Sequence, residues 1–220
     1  MTNEKLGKWI ERLKTMGTPW SGDLAPGEPF RDEVGATRPV DGPFFAWRVA
    51  RLSGAPGAAG VTADAGPDVL LWRALTDSHL HVDDVVARFL ADADDRDATD
   101  AGALHAQHGT LAIEAWIEAE LAAIHALFWH GHARGRGDLA ALTERIAQWH
   151  LENLQPDNAT NRPWGLPVFI WMSVQRNDAT AGLYADTMLH NCQVALGHVD
   201  RLSAHIMLDA AEALEMARSA

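Results

Sequence analysis

The sequence predicts an all-α, single-domain antiparallel helical bundle of about eight or nine helices, with a long irregular Pro/Gly-rich arm near the N-terminus. Three observations carry that prediction. Apolar residues recur at helical spacing in most segments. The C-terminal half is broken only by short links, which makes successive helices antiparallel neighbours. The one run rich in β-branched and aromatic residues, Val168 to Val174, has no second strand to pair with. A chain of 220 residues, 47% hydrophobic and 22% charged, buries one good core and is too short for two large domains.

Leu6, Trp9, Ile10 and Leu13 set a helix over residues 3 to 16. Its outer face is mildly basic, with Lys5, Lys8, Arg12 and Lys14 interleaved with Glu4 and Glu11. That mixture is not a secretory signal, and the helix is expected to dock on its own domain and not on a membrane. From Gly17 to Pro43 the prolines at 19, 26, 29, 39 and 43 forbid long regular structure. Phe44 to Leu52 makes a short helix, and Ser53 to Gly66 is a flexible Gly/Ala connector. Residues 1–66 are thus read as helix, arm and connector packing on a helical core domain of residues 67–220.

Pro67 opens the next helix, to Thr76, and Ser78 is placed as the N-cap of the one after, whose stripe is Val82, Val85, Val86, Phe89 and Leu90. Asp92, Asp94, Asp95, Asp97 and Asp100 suggest a calcium loop, but the sixth and twelfth positions hold Asp97 and Ala103 where Gly and Glu are needed. A solvated interhelical turn is the better reading. Residues 99–133 read as one long helix or two in tandem, 138–154 as another, and Val168 to Val174 as a buried helix started by Pro167. Residues 179–196 and 201–218 complete the bundle, with turns at Gly135 to Gly137 and at Gly197. The most apolar window, Leu166 to Val174, is about half a membrane span.

A net charge of -12 argues against a nucleic-acid partner, because phosphate binding needs a basic surface. One Cys makes no internal disulfide, which fits a soluble, reduced, cytoplasmic protein. Eleven His would carry the charge from -12 to -1 if all were protonated.

Chemistry is sought in polar groups on faces that ought to be apolar, since a buried charge must be paired or bind a metal. Around Ile117, Leu121, Ile124 and Phe128, a stripe of Glu114, Glu118, His125 and His132 falls about 60 to 100° to one side. Glu118 and His125 are the first candidate pair, able to bind a metal, share a proton or bond to neighbouring helices. On the next helix His150 and Asn153 lie within about 40° of Ile146. A polar loop follows, in which Asp157, Asn158, Asn161, Arg162 and Trp164 read either as self-closing turns or as a substrate-facing wall. Arg162 is there the anchor for a carboxylate or phosphate, or a salt bridge to Asp157.

Asp186 and His190, one turn apart, form a third pair that fits a fixed imidazole tautomer or an exposed i, i+4 contact. Cys192 falls on the apolar side as a small core residue. His205, Asp209 and Glu212 are a weaker set on the last helix. Trp116, Trp129, Trp149 and Trp171 are core anchors, whereas Trp20, Trp47 and Trp164 flank Pro/Gly-rich segments where an aromatic can cover a pocket.

Four successive elements each offering a His or carboxylate make a common central site the economical expectation. The function expected is that of an enzyme acting on a small molecule, with Glu118, His125, His150, Asp186 and His190 as catalytic candidates and Asn153, Asp157, Asn158, Asn161, Arg162 and Trp164 lining the substrate. If a metal assists, His125, His150, His190 and Glu118 are its ligands, for a first-row ion such as Zn, Fe or Mn. The Glu-x-x-His repeat of ferritin-like di-iron proteins, zinc motifs, phosphate loops and dinucleotide fingerprints are absent. The competing expectation is a non-catalytic helical binding or interaction protein whose buried polar residues are structural. A third, a short (α/α) carbohydrate-active fold, would use the Trp residues and paired carboxylates. Homo-oligomerisation stays open.

Overall fold

The computed structural model describes residues 2–24, 38–54, 65–91, 104, 112–154, 162–194 and 197–220. Residues 25–37 of the Gly17 to Pro43 arm, the Asp92 to Asp100 run and Asp157, Asn158 and Asn161 lie outside the described residues. Among those described, the chain forms nine α-helices and no strand. They are α1 (Thr2–Ser21), α2 (Asp41–Ser53), α3 (Pro67–Arg73), α4 (Val82–Ala91), α5 (Ile113–Phe128), α6 (Gly137–Asn153), α7 (Leu166–Gln175), α8 (Ala179–Val194) and α9 (Arg201–Ser219), with a π-helical turn at Trp129–Ala133.

The helix expected over 3 to 16 runs on to Ser21 through Gly17 and Pro19. Gly17 is required by the crossing with α9, since a Cβ there would stand 2.9 Å from the Ala204 carbonyl oxygen. α2 begins three residues before the expected Phe44, with Pro43 in its first turn, where a missing N–H costs nothing. Ser78 does not cap α4. Asp77 instead accepts from the His79 N–H at 2.9 Å, and the helix starts only at Val82, on hydrogen bonds to the His81 carbonyl.

Of the stretch 99–133, read as one helix or two in tandem, the residues described from 112 onward form α5 and the π-turn, closed by Arg136 N–H donating to Gly131 O at 2.8 Å. Gly131 lets the π-turn lie against α6, because a Cβ would come within 2.5 Å of the Ala140 nitrogen. Val168 to Val174 is helical, as part of α7, entered through Gly165 at φ 75° and Pro167 in the first turn. Asp200 caps α9, accepting from Ser203 N–H at 3.0 Å and Ser203 Oγ at 2.6 Å.

One hydrophobic cluster runs through the fold. Leu6, Ile10 and Leu13 of α1 and Phe44, Phe45 and Trp47 of α2 belong to the same core as Leu121, Ile146, Phe169, Met188 and Ile206. The segment before residue 66 therefore shares its core with the rest. No helix among the described residues is long and apolar enough to cross a membrane.

Candidate functional site

Asp209 of α9 is fully buried, 0% exposed. Trp47 Nε1 and Arg48 Nη1 of α2 donate to its Oδ1 at 3.0 and 3.2 Å, and Trp129 Nε1 of the π-turn donates to Oδ2 at 2.7 Å. His125 Nε2 of α5 stands 3.3 Å from Oδ2, too far off the hydrogen-bond direction for a strong bond. Burial pushes the Asp209 carboxyl up, yet His125, Arg48 and Trp129 outweigh it and leave the group below the ordinary carboxylate range. Arg48 Nη1 also meets Glu212 Oε2 at 2.9 Å. Thus one carboxylate ties α2, α5, the π-turn and α9 together.

His125 itself is fully buried between Trp72 and Trp164, with ring centroids 5.4 and 5.8 Å away, and Phe44 stands edge-on to both indoles. Its Nδ1 and the Trp164 Nε1 have no hydrogen-bond partner among the described residues.

Glu118 belongs to another cluster. Arg162 Nη1 donates to its Oε1 at 2.9 Å and to Asp41 Oδ1 at 3.2 Å, and Arg38 Nε donates to Glu118 Oε2 at 3.1 Å. The Arg38 backbone N–H completes the knot on Asp41 Oδ2 at 2.7 Å. Arg162 is therefore an anchor for carboxylates of its own chain, supplied by α5 and α2.

His150, 0% exposed, faces neither of these groups. Its Nε2 lies 3.5 Å from Glu120 Oε2, which also accepts the Leu104 N–H at 3.0 Å. A fourth pair joins the π-turn to α6: His132 Nε2 is 3.2 Å from Glu144 Oε1, and Arg176 grips the other Glu144 oxygen. His132 stacks on Phe128 at 4.6 Å, and burial, aided by Arg176, holds it down to about 4. Glu144, already engaged by Arg176, does not keep a proton on the ring.

Three of the remaining described candidates, Asn153, Asp186 and His190, are at the surface. Asn153 is exposed and donates to the Trp149 carbonyl at 2.9 Å. Asp186 and His190 are exposed on α8, and Asp186 accepts from Arg12 Nη1 of α1. Both members of the third pair accordingly lie at the surface, and Asp186 serves an interhelical salt bridge to Arg12. His125, His150 and His190 do not converge with Glu118, and no three His, Cys, Asp or Glu side chains among the described residues are arranged to hold a metal ion. Trp164 is a fully buried core residue and not part of an exposed wall. Cys192 is buried in the core, as its apolar face predicts.

Glu120, Asp41 and Arg48 were missed by sequence reasoning, and Trp47, read as a pocket cover, instead donates to Asp209. Glu120 carried a signal, since it lies about 40° from Ile124 on the helical wheel of α5. Arg48 and Asp41 carried none beyond helical spacing, because their partners lie 161 and 121 residues away. The comparisons add no family to this geometry: no protein-family model, curated protein or solved structure matches the chain.

Proposed function

We propose that the chain is a helical binding protein, whose buried histidine–carboxylate pairs hold the bundle together and do not perform turnover. The observation that carries this reading is Asp209: buried, with three donors, and His125 against it, it joins α2, α5, the π-turn and α9. An imidazole as enclosed as His125 or His150, at 0% exposure, has no approach for a substrate proton in this arrangement. The lone buried thiol of Cys192 fits a reducing, cytoplasmic setting.

One observation favours an enzyme with an interior site, the unpartnered His125 Nδ1 and Trp164 Nε1 within one aromatic box. Buried orphan polar atoms mark strain, a water or a ligand.

Thermal unfolding of Asp209→Asn and His150→Gln separates the two readings. Removing one partner of a buried ionic group costs about 3–5 kcal/mol. At about 2–4 °C per kcal/mol for a chain of this size, Tm should fall by roughly 10 °C. An unchanged or raised Tm, as follows when a strained catalytic group is neutralised, overturns the structural reading. Zn, Fe or Mn salts should leave the Tm of the parent protein where it was; a saturable rise would restore metal binding.

A further inference from the structure

We infer that the groove between α1 and α7 binds a small phosphorylated molecule. Lys5, Lys8, Trp9 and Arg12 follow i, i+3, i+4, i+7 spacing, so one face of α1 supplies three cations and an indole to a single wall. Ser173 and Val174 of α7 form the opposite side of an open groove of about 280 Å³, large enough for a small phosphorylated group. Among the described residues none of the six side chains lining it is a carboxylate, and the acids nearby, Glu4 and Asp186, are held by Lys8 and Arg12.

On a chain whose net charge is -12, three cations line one groove. Each is readily available to an anion. Lys5 has no carboxylate partner among the described residues. Lys8 meets Glu4 at 2.8 Å, but both side chains are exposed (76% and 67%), and such a pair is weak and screened. Arg12 is held over the Trp9 ring, 5.0 Å from its centroid, while one of its nitrogens goes to Asp186. The stacking fixes the guanidinium plane and leaves its remaining donors for a second oxyanion. Ser173 Oγ, now donating to the Ile170 carbonyl at 3.0 Å, is a rotatable donor at the floor. Two ammonium point charges and a planar fork match a phosphate dianion better than a monocarboxylate. Asp186 competes for the same arginine, so the site contains its own rival anion.

This inference deepens the binding reading and rests on it for biological meaning, yet the two fail separately: the Asp209→Asn melt reports on the interior and the following titration on the groove. The full chain is titrated with sodium pyrophosphate at fixed low ionic strength, against sodium chloride as control, following backbone amide shifts and Trp fluorescence. Saturable shifts confined to α1 and α7 are expected. Lys5→Ala with Lys8→Ala should weaken binding about tenfold or more, and Asp186→Asn should tighten it severalfold by removing the competitor. Neither change should move the Tm, because these side chains are exposed. Absent saturation, shifts elsewhere, or equal affinity in the double variant overturns the proposal. Binding to vesicles of anionic lipid without binding to pyrophosphate overturns it in favour of a membrane surface.

Discussion

Lowering the pH from 7.5 to 5 should remove most of this protein's stability, through three histidines that the fold holds unprotonated. Burial brings His130, His132 and His205 from 6.5 down to about 4. His130 bonds to the Leu71 carbonyl at 3.1 Å beside Arg134 and Arg136; His132 sits beside Arg176; His205 bonds to the Ser21 carbonyl at 2.8 Å with Arg48 near. The unfolded chain takes these protons near 6.5 and the folded chain only near 4, so stability is complete above 6.5 and declines as pH falls through that window. At pH 5 each group costs about 2 kcal/mol by linkage, about 6 kcal/mol together, which is comparable to the whole stability of a typical domain. Unfolding at pH 5.5 should correspondingly bind about two to three protons. Urea unfolding followed by Trp fluorescence across pH 5 to 8 gives the slope, and each of His130→Gln, His132→Gln and His205→Gln should remove about one proton from it. A urea midpoint that stays constant between pH 7.5 and 5, or uptake below one proton, would falsify the burial argument for all three rings.

Gly131→Ala should strain the π-turn, since the new methyl would lie 2.5 Å from the Ala140 nitrogen and 2.8 Å from the Leu139 carbonyl carbon. Overpacking against backbone costs about 3 kcal/mol, readable as a lower urea midpoint, and an unchanged midpoint would show that the π-turn yields freely. Cys192, 2% exposed and with its thiol pushed up to about 12 by burial and then by Asp200, should ignore a disulfide reagent at pH 8 in the native state and react fully in denaturant. Prompt native reaction would place the thiol at an opening.

The helices were legible where apolar periodicity was unbroken, as in α6, α8 and α9, because a single buried stripe determines both the element and its facing side. Their ends were less so. Ser78 looked like a cap because its residue type suits one, but the Asp77 carboxylate takes the nearby His79 N–H first. The π-turn was illegible, since it depends on an approach between Gly131 and α6 that no spacing within residues 129–133 records. At α1, Gly17 and Pro19 read locally as breakers, yet the crossing with α9 needs a small residue at 17 and the last turn tolerates the proline.

The candidate site shows the same division between local and distant information. Helical wheels identified Glu118, His125 and His150 as inward, and all three are buried. The inference from inward to convergent is where the reasoning failed. A buried carboxylate needs donors, but it takes them from whichever element reaches it, and α2 brings Trp47 and Arg48 while the chain beyond α6 brings Arg162. With those partners present, Glu118 and Asp209 are neutralised at separate positions and need not share one centre. Two orphaned nitrogens, on His125 and Trp164, are what remains of the central-site idea. Inward polar residues on α5, α6 and α9 are thus as well explained by separate local neutralisations as by one active site, and the partners each of them meets distinguish the two.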